Sequence, residues 1–129
     1  MWSADFYFPG FPAAVPLMQG GKVKLLAVST AKRPSAAPDI PSVAEATEIT
    51  EFDFALWVGF FGPRALSMDI TKRLNAAINQ ILLEPEMKTR LQNDGAEVSA
   101  LSIAEFSGFV RAEIAKYQGI IAAANIKPE

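Results

Sequence analysis

The sequence predicts an α/β fold in which a mixed sheet is flanked by helices. Val23–Val28 (VKLLAV) is almost continuously apolar, as expected of a strand buried on both faces of a parallel sheet. Phe52–Phe61 (FDFALWVGFF) is rich in aromatic and β-branched residues, which favours a second strand. Two S-x-x-E capping boxes, at Ser42 and at Ser102, indicate the starts of helices.

The first half of the chain reads as a strand, a helix and a second strand. Residues 5–8 form a short predicted strand that ends at a Pro-Gly turn. Pro12 suits the first turn of a helix that continues to a stop at residues 20–21. The strand at residues 23–28 follows, and a loop with three prolines then leads to a helix predicted over 43–48.

The second half is predominantly helical. Ser67 is a candidate cap for a helix over 68–83, in which apolar residues recur with a 3.6-residue period. Pro85 starts a shorter helix that stops at Gly95, and residues 96–99 form a brief predicted strand. Ser102 caps the longest predicted helix, over 103–123.

Composition excludes several classes of function. The 129 residues suit one domain, and a net charge of −2 without a basic run argues against nucleic-acid binding. Without cysteine or histidine, disulfides, the usual zinc sites and histidine-based catalysis are excluded. No catalytic carboxylate pair or nucleotide-binding glycine motif is present, so we expect no enzyme, no cofactor and no metal site. The hydrophobic content of 50% predicts apolar surface that something else covers.

The turn formed by Pro9, Gly10 and Phe11 is the first candidate binding site. It joins a predicted strand to a predicted helix, so the amides of Ala13 and Ala14 are expected to be free to bind a carboxylate. The alternative is a plain structural turn.

Ser29 and Thr30 form the second candidate. They follow the strand at residues 23–28 at its carboxyl end, where open α/β sheets bind ligands. With Arg33 they offer two hydroxyls and a guanidinium to an anion. The alternative is that the hydroxyls cap the loop and Arg33 fixes it through backbone carbonyls.

The stretch from Ala27 to Ala46 (AVSTAKRPSAAPDIPSVAEA) resembles the substrate-binding proteins of tripartite tricarboxylate transporters, the Bug family. Flanking segments, FPAAVPLMQGGKVK and FALWVGFFGP, match as well, so the resemblance covers essentially the whole chain. It covers only the C-terminal part of a family member. The matching residues in the central stretch are Ala27, Val28, Arg33, Pro38, Asp39, Pro41, Val43, Ala44, Glu45 and Ala46.

The resemblance implies part of a two-lobe periplasmic-binding-protein fold of the type II-like kind. Residues 1–50 would form the end of the second lobe, and 51–129 the crossing strand and closing part of the first. Such proteins close on a small organic carboxylate and pass it to membrane transporter subunits. The resemblance implies a periplasmic location, although the sequence starts without a signal peptide.

The residues expected to bind the ligand are Pro9, Gly10, Phe11, Ala13, Ser29 and Thr30. Family members commonly carry Asp-Asn where this chain has Pro9-Gly10, so the backbone and Phe11 would contact the ligand here. Half of the cleft would be absent, so solute binding is expected to be weak or absent. The alternative function is a truncated structural or interaction module that binds no solute. In either case unpaired strand edges favour a homo-oligomer.

Overall fold

The computed structural model describes residues 5–127, and five α-helices lie in that range. Two compact units divide the chain. Unit 1 contains the residues up to Phe61 together with Leu83–Val98, and unit 2 contains Gly62–Leu82 and the residues from Ser99 onward. The predicted lobe boundary at residues 50–51 stays a prediction. The helices are α1 (Phe11–Gln19), α2 (Val43–Ala46), α3 (Met68–Leu83), α4 (Pro85–Asn93) and α5 (Ile103–Ala123).

Helix α1 begins and ends as its sequence predicts. A proline lies in its first turn, where an amide would have no partner inside the helix. Beyond the last turn, Gly21 has a φ of 65°, a backbone conformation that glycine adopts without steric cost. The N–H of Lys22 then donates to the carbonyl of Leu17 at 2.9 Å, which closes the helix end.

Both predicted capping boxes are confirmed. The Glu45 N–H donates to the Ser42 hydroxyl at 3.1 Å, and the Glu45 carboxylate accepts the Ser42 N–H at 2.8 Å. Ser102 and Glu105 repeat the pattern at the start of α5, at 3.2 and 2.9 Å. Helix α2 ends at Ala46, two residues earlier than predicted, whereas α5 has the predicted bounds.

The predicted strands are not formed as a sheet within residues 5–127. The segments 5–8, 23–28, 52–61 and 96–99 contain no β-ladder, and the described part of the chain has one isolated parallel bridge, between Val28 and Ser42. There the Val28 N–H donates to the Pro41 carbonyl at 2.9 Å, and the Val43 N–H donates to the Val28 carbonyl at 2.8 Å. A strand takes its hydrogen bonds from a neighbouring strand, and none of these four segments pairs with another. The mixed sheet is therefore not confirmed.

In unit 2, side chains of α3 hold Leu101, the residue before the Ser102 cap of α5. The side-chain amides of Asn75 and Asn79 both donate to the Leu101 carbonyl, at 3.0 and 2.9 Å. At the start of α3 the Ile70 N–H donates to the Ser67 hydroxyl at 3.3 Å, which confirms the predicted cap. Of the helices within residues 5–127, none combines the length and apolar character needed to cross a membrane.

Candidate functional site

The turn at the start of α1 is the first part of the candidate site. Gly10 precedes the helix with φ −60° and ψ 139°, and its carbonyl accepts the Ala13 N–H at 2.9 Å and the Ala14 N–H at 3.2 Å. The prediction that these two amides are free donors is wrong, because the Gly10 carbonyl already accepts both as the first hydrogen bonds of the helix. A role for Ala13 in ligand binding stays a prediction.

The aromatic side chain of the same turn packs on the end of α4. A Cβ atom added to Gly95 would lie 2.8 Å from Cδ1 of Phe11 and 3.6 Å from Cα of Pro12. Gly95 has a φ of 77° and follows directly after the capping residue of α4. Only a glycine permits both this backbone conformation and this close approach. Phe11 is therefore positioned by a contact that lies 84 residues away in sequence.

The second part of the site is the turn at Ser29 and Thr30. The Ser29 hydroxyl donates to the Phe54 carbonyl at 2.6 Å, and the Phe54 N–H donates to the Ser29 carbonyl at 2.7 Å. The Thr30 hydroxyl donates to the carbonyl of Lys32 at 2.6 Å. Both hydroxyls therefore stabilise the loop, which agrees with the alternative in which they cap it. Each hydroxyl oxygen keeps lone pairs that can accept, and contact of either with a ligand stays a prediction.

Asp53 also binds this turn, although it is not among the residues predicted from the sequence. Its carboxylate accepts the Ala31 N–H at 2.9 Å. Asp53 is the one acidic residue within the apolar run of residues 52–61, and this position could have indicated its role. An acid at that position is expected to have a specific hydrogen-bonding role, because it interrupts a stretch that otherwise favours burial.

One short segment contacts both candidate turns. Phe54 exchanges hydrogen bonds with Ser29, whereas Cδ2 of Leu56 lies 3.0 Å from the position that a Cβ on Gly10 would occupy. These residues are two positions apart and belong to unit 1 together with both turns. Residues 54–56 therefore adjoin the Gly10 turn and the Ser29 turn, which the sequence analysis had treated as separate candidates.

Arg33 binds within the proline-rich loop. Its Nε donates to the Glu45 carboxylate at 2.9 Å, and Nη1 donates to the Pro38 carbonyl at 3.0 Å. The pKa of Glu45 lies below its ordinary value. The hydrogen bond from the Ser42 backbone N–H is the largest cause, and the hydrogen bond from the Arg33 guanidinium is the next. The Pro38 contact agrees with the structural alternative, in which Arg33 fixes the loop through backbone carbonyls.

The same loop is attached to the segment that follows α4. The Ser35 N–H and hydroxyl both donate to Oε1 of Glu97, at 3.2 and 3.1 Å. The chain that follows Gly95 is thus joined to the proline-rich loop, while Gly95 itself meets Phe11. Across residues 5–127, no group of three or more acidic side chains is placed to hold a metal ion.

Two solved structures share the fold of this chain over less than half of their own length. Rpa4515 of R. palustris, solved with adipate, matches with a TM-score of 0.80 and 31% identity over 92% of this chain and 39% of its own. A second structure, of a periplasmic transporter, matches with a TM-score of 0.78 and 26% identity over 90% of this chain and 38% of its own. This chain therefore has the fold of part of a periplasmic transporter.

Residues 5–126 match the tripartite tricarboxylate transporter family receptor, and the chain belongs to that family. This agrees with the resemblance seen in the sequence, and the family is one of transport receptors rather than enzymes.

Two UPF0065 proteins are also similar to this chain. A UPF0065 protein from the clcB-clcD intergenic region of Pseudomonas knackmussii is 35% identical over 79 residues, which is 61% of this chain and 47% of that protein. A UPF0065 protein of Bordetella bronchiseptica is 29% identical over 119 residues, which is 92% of this chain and 35% of that protein. The chain therefore spans less than half the length of these relatives.

Proposed function

We propose that this chain forms part of a periplasmic solute-binding protein that captures a small organic carboxylate for a tripartite tricarboxylate-type transporter. The supporting observation is the family match over residues 5–126, together with similarity to a structure solved with the dicarboxylate adipate. The membrane partners would be the subunits of that transporter. The periplasmic location is part of the same proposal.

The proposed contacts are the two turns that adjoin residues 54–56. Around Gly10, the turn Pro9–Phe11 offers backbone groups and the Phe11 ring, and Ala13 follows in the first turn of α1. Ser29 and Thr30 lie on the other side of the segment, and their hydroxyls would donate to the carboxylate by turning away from the Phe54 and Lys32 carbonyls. A carboxylate takes its hydrogen bonds from N–H and O–H donors, which the amides of Gly10 and Phe11 and the two hydroxyls would supply.

We expect the isolated chain to bind adipate only weakly, because ligand pockets gain affinity by enclosing most of the ligand surface. A two-dimensional amide NMR titration detects such binding. Adipate should shift the signals of Gly10, Phe11, Ala13 and residues 29–31 progressively, whereas the uncharged diamide of the same length should leave them unchanged. Shifts that are absent at tens of millimolar adipate, or equal for both compounds, would refute the proposal.

The matched variants are Gly10→Leu and Gly20→Leu. A Cβ atom at Gly10 would meet the flexible end of Leu56 at 3.0 Å, and the rest of the leucine side chain is intended to cover the backbone of the turn. Circular dichroism checks that both variants keep their helices. Gly20 lies at the opposite end of α1, and substitution there should leave the adipate shifts intact. Equal loss of the shifts in both variants would show that the Gly10 turn is not the site.

A second candidate function is a structural or interaction module that binds no solute. The observation in its favour is that Ser29, Thr30 and Arg33 all donate to groups of the chain itself. This candidate predicts no adipate-dependent shift in the titration. Self-association of the chain, predicted from unpaired strand edges, is compatible with either candidate.

A further inference from the structure

Both hydroxyls of the Ser29 turn (residues 29–31) act as donors within the chain. The Ser29 hydroxyl donates to the Phe54 carbonyl at 2.6 Å, and the Thr30 hydroxyl donates to the Lys32 carbonyl at 2.6 Å. Each oxygen retains lone pairs, so each hydroxyl can accept a hydrogen bond from a solute while it keeps its own bond. To donate to a solute carboxylate, each hydroxyl must first break that bond. The hydroxyls are therefore better suited to a donor group of the solute than to an acceptor.

A third donor of this turn is already bonded to a carboxylate. The Ala31 N–H donates to Oδ1 of Asp53 at 2.9 Å. The next residue along the chain holds Asp53 beside the turn, since Phe54 exchanges hydrogen bonds with Ser29. A solute carboxylate that approached the Ala31 N–H would have to displace Asp53 and would be repelled by its negative charge. An amide, hydroxyl or ammonium group would be attracted instead, because hydrogen bonds to a charged acceptor are stronger than neutral ones.

The neighbouring positive charges do not reverse this preference. The Arg33 guanidinium donates to the Glu45 carboxylate at 2.9 Å, so its charge is paired. Lys32 is exposed and carries its hydrated ammonium at the end of a flexible stem. Asp53 is exposed too, but the Ala31 bond fixes its carboxylate on the backbone of the turn. Asp53 therefore sets the sign of the local charge, at a strength that water and salt reduce.

We propose that Asp53 is a specificity-determining residue that selects against a carboxylate at the Ser29 turn. The solute then carries one carboxylate for the Gly10 turn and a hydrogen-bond donor for the Ser29 turn. This class comprises monocarboxylates with an amide, hydroxyl or ammonium group at the opposite end. The inference rests on the proposed function, in which the two turns that adjoin residues 54–56 contact one solute. A dicarboxylate still binds, but only after the Ser29 turn gives up its internal bonds.

Three compounds of nearly equal length and shape test this selectivity: adipate, its monoamide and its diamide. We expect the monoamide to bind the chain about three- to tenfold more tightly than adipate at neutral pH, as two hydrated charges a few ångströms apart would dictate. The diamide lacks the carboxylate for the Gly10 turn and should bind least. Amide NMR shifts of residues 29–31 provide the dissociation constants, and a constant ionic strength keeps electrostatic screening equal for all three compounds.

Asp53→Asn is the decisive variant, because asparagine keeps the shape and an oxygen for the Ala31 N–H while it removes the charge. The monoamide and adipate should then bind almost equally, since adipate no longer meets a negative charge. Lys32→Gln is the matched control. It removes a charge of opposite sign from the residue that follows the turn, and the monoamide should remain preferred. Circular dichroism checks that both variants keep their helices.

The possible outcomes separate this inference from the proposed function. A preference for the monoamide that disappears in Asp53→Asn alone supports both. Adipate that binds the unmodified chain as tightly as the monoamide, or a preference that Asp53→Asn leaves unchanged, overturns the selectivity while carboxylate binding stands. A preference lost equally in Lys32→Gln also overturns it, because Asp53 would then have no specific effect. If neither compound shifts any signal of the two turns, the proposed function fails and the selectivity fails with it.

Discussion

Substitution of Gly95 by alanine tests the contact that positions Phe11. The new Cβ would lie 2.8 and 3.2 Å from Cδ1 and Cε1 of Phe11, closer than carbon atoms pack, and 3.6 Å from the Pro12 backbone. Gly95 also has a φ of 77°, where an L-residue costs about 1–2 kcal/mol. Overpacking adds about 1–3 kcal/mol. We therefore expect Gly95→Ala to lower the free energy of unfolding by about 2–5 kcal/mol.

The matched control is Gly21→Ala. Gly21 follows the capping residue of α1 as Gly95 follows that of α4, and its φ is 65°. Nothing lies within 4 Å of a Cβ placed there, so the variant carries the conformational cost alone. The difference between the two variants, about 1–3 kcal/mol, measures the contact with Phe11.

Chemical denaturation followed by circular dichroism provides the free energies, and a double-mutant cycle identifies the partner. In a Phe11→Ala background the Gly95→Ala penalty should fall to the Gly21→Ala value, because the clashing ring is gone. If Gly95→Ala costs no more than Gly21→Ala, or if Phe11→Ala leaves its penalty unchanged, the proposed contact does not position the turn.

Two further predictions concern pH and the Ser29 turn. Hydrogen bonds hold the pKa of Glu45 and of Glu105 below the ordinary 4.5, so their contribution to stability is complete above that pH and is lost as the pH falls through the lower folded values. Glu45→Gln with Glu105→Gln should therefore flatten the unfolding free energy measured between about pH 5 and 3, and an unchanged slope would contradict this. Ser29→Ala removes the bond to the half-buried Phe54 and should cost about 0.5–1.5 kcal/mol in denaturant titrations, whereas Thr30→Ala should cost almost nothing. Equal costs for the two variants would show that the Ser29 bond contributes nothing specific.

The helices could be predicted from sequence because their signals are local. Ser42 and Ser102 each form a capping box with a glutamate three residues later, and both boxes are present. Pro85 begins α4, and Gly95 follows its end. Each of these helix starts and ends is determined by residues within one or two helical turns of each other. Their spacing in the sequence is therefore enough to identify which residues interact.

The contacts that define the candidate site are nonlocal, and the sequence could not supply them. Phe11 contacts Gly95, and Ser29 forms a hydrogen bond with Phe54. These residues are far apart in sequence, and no sequence pattern indicates that they interact. The strands stay unconfirmed for the same reason: Val23–Val28 has the composition of a strand, but a ladder needs a neighbouring strand, and the bridge in this segment joins Val28 to Ser42. Sequence therefore located the candidate turns and left open what lies against them.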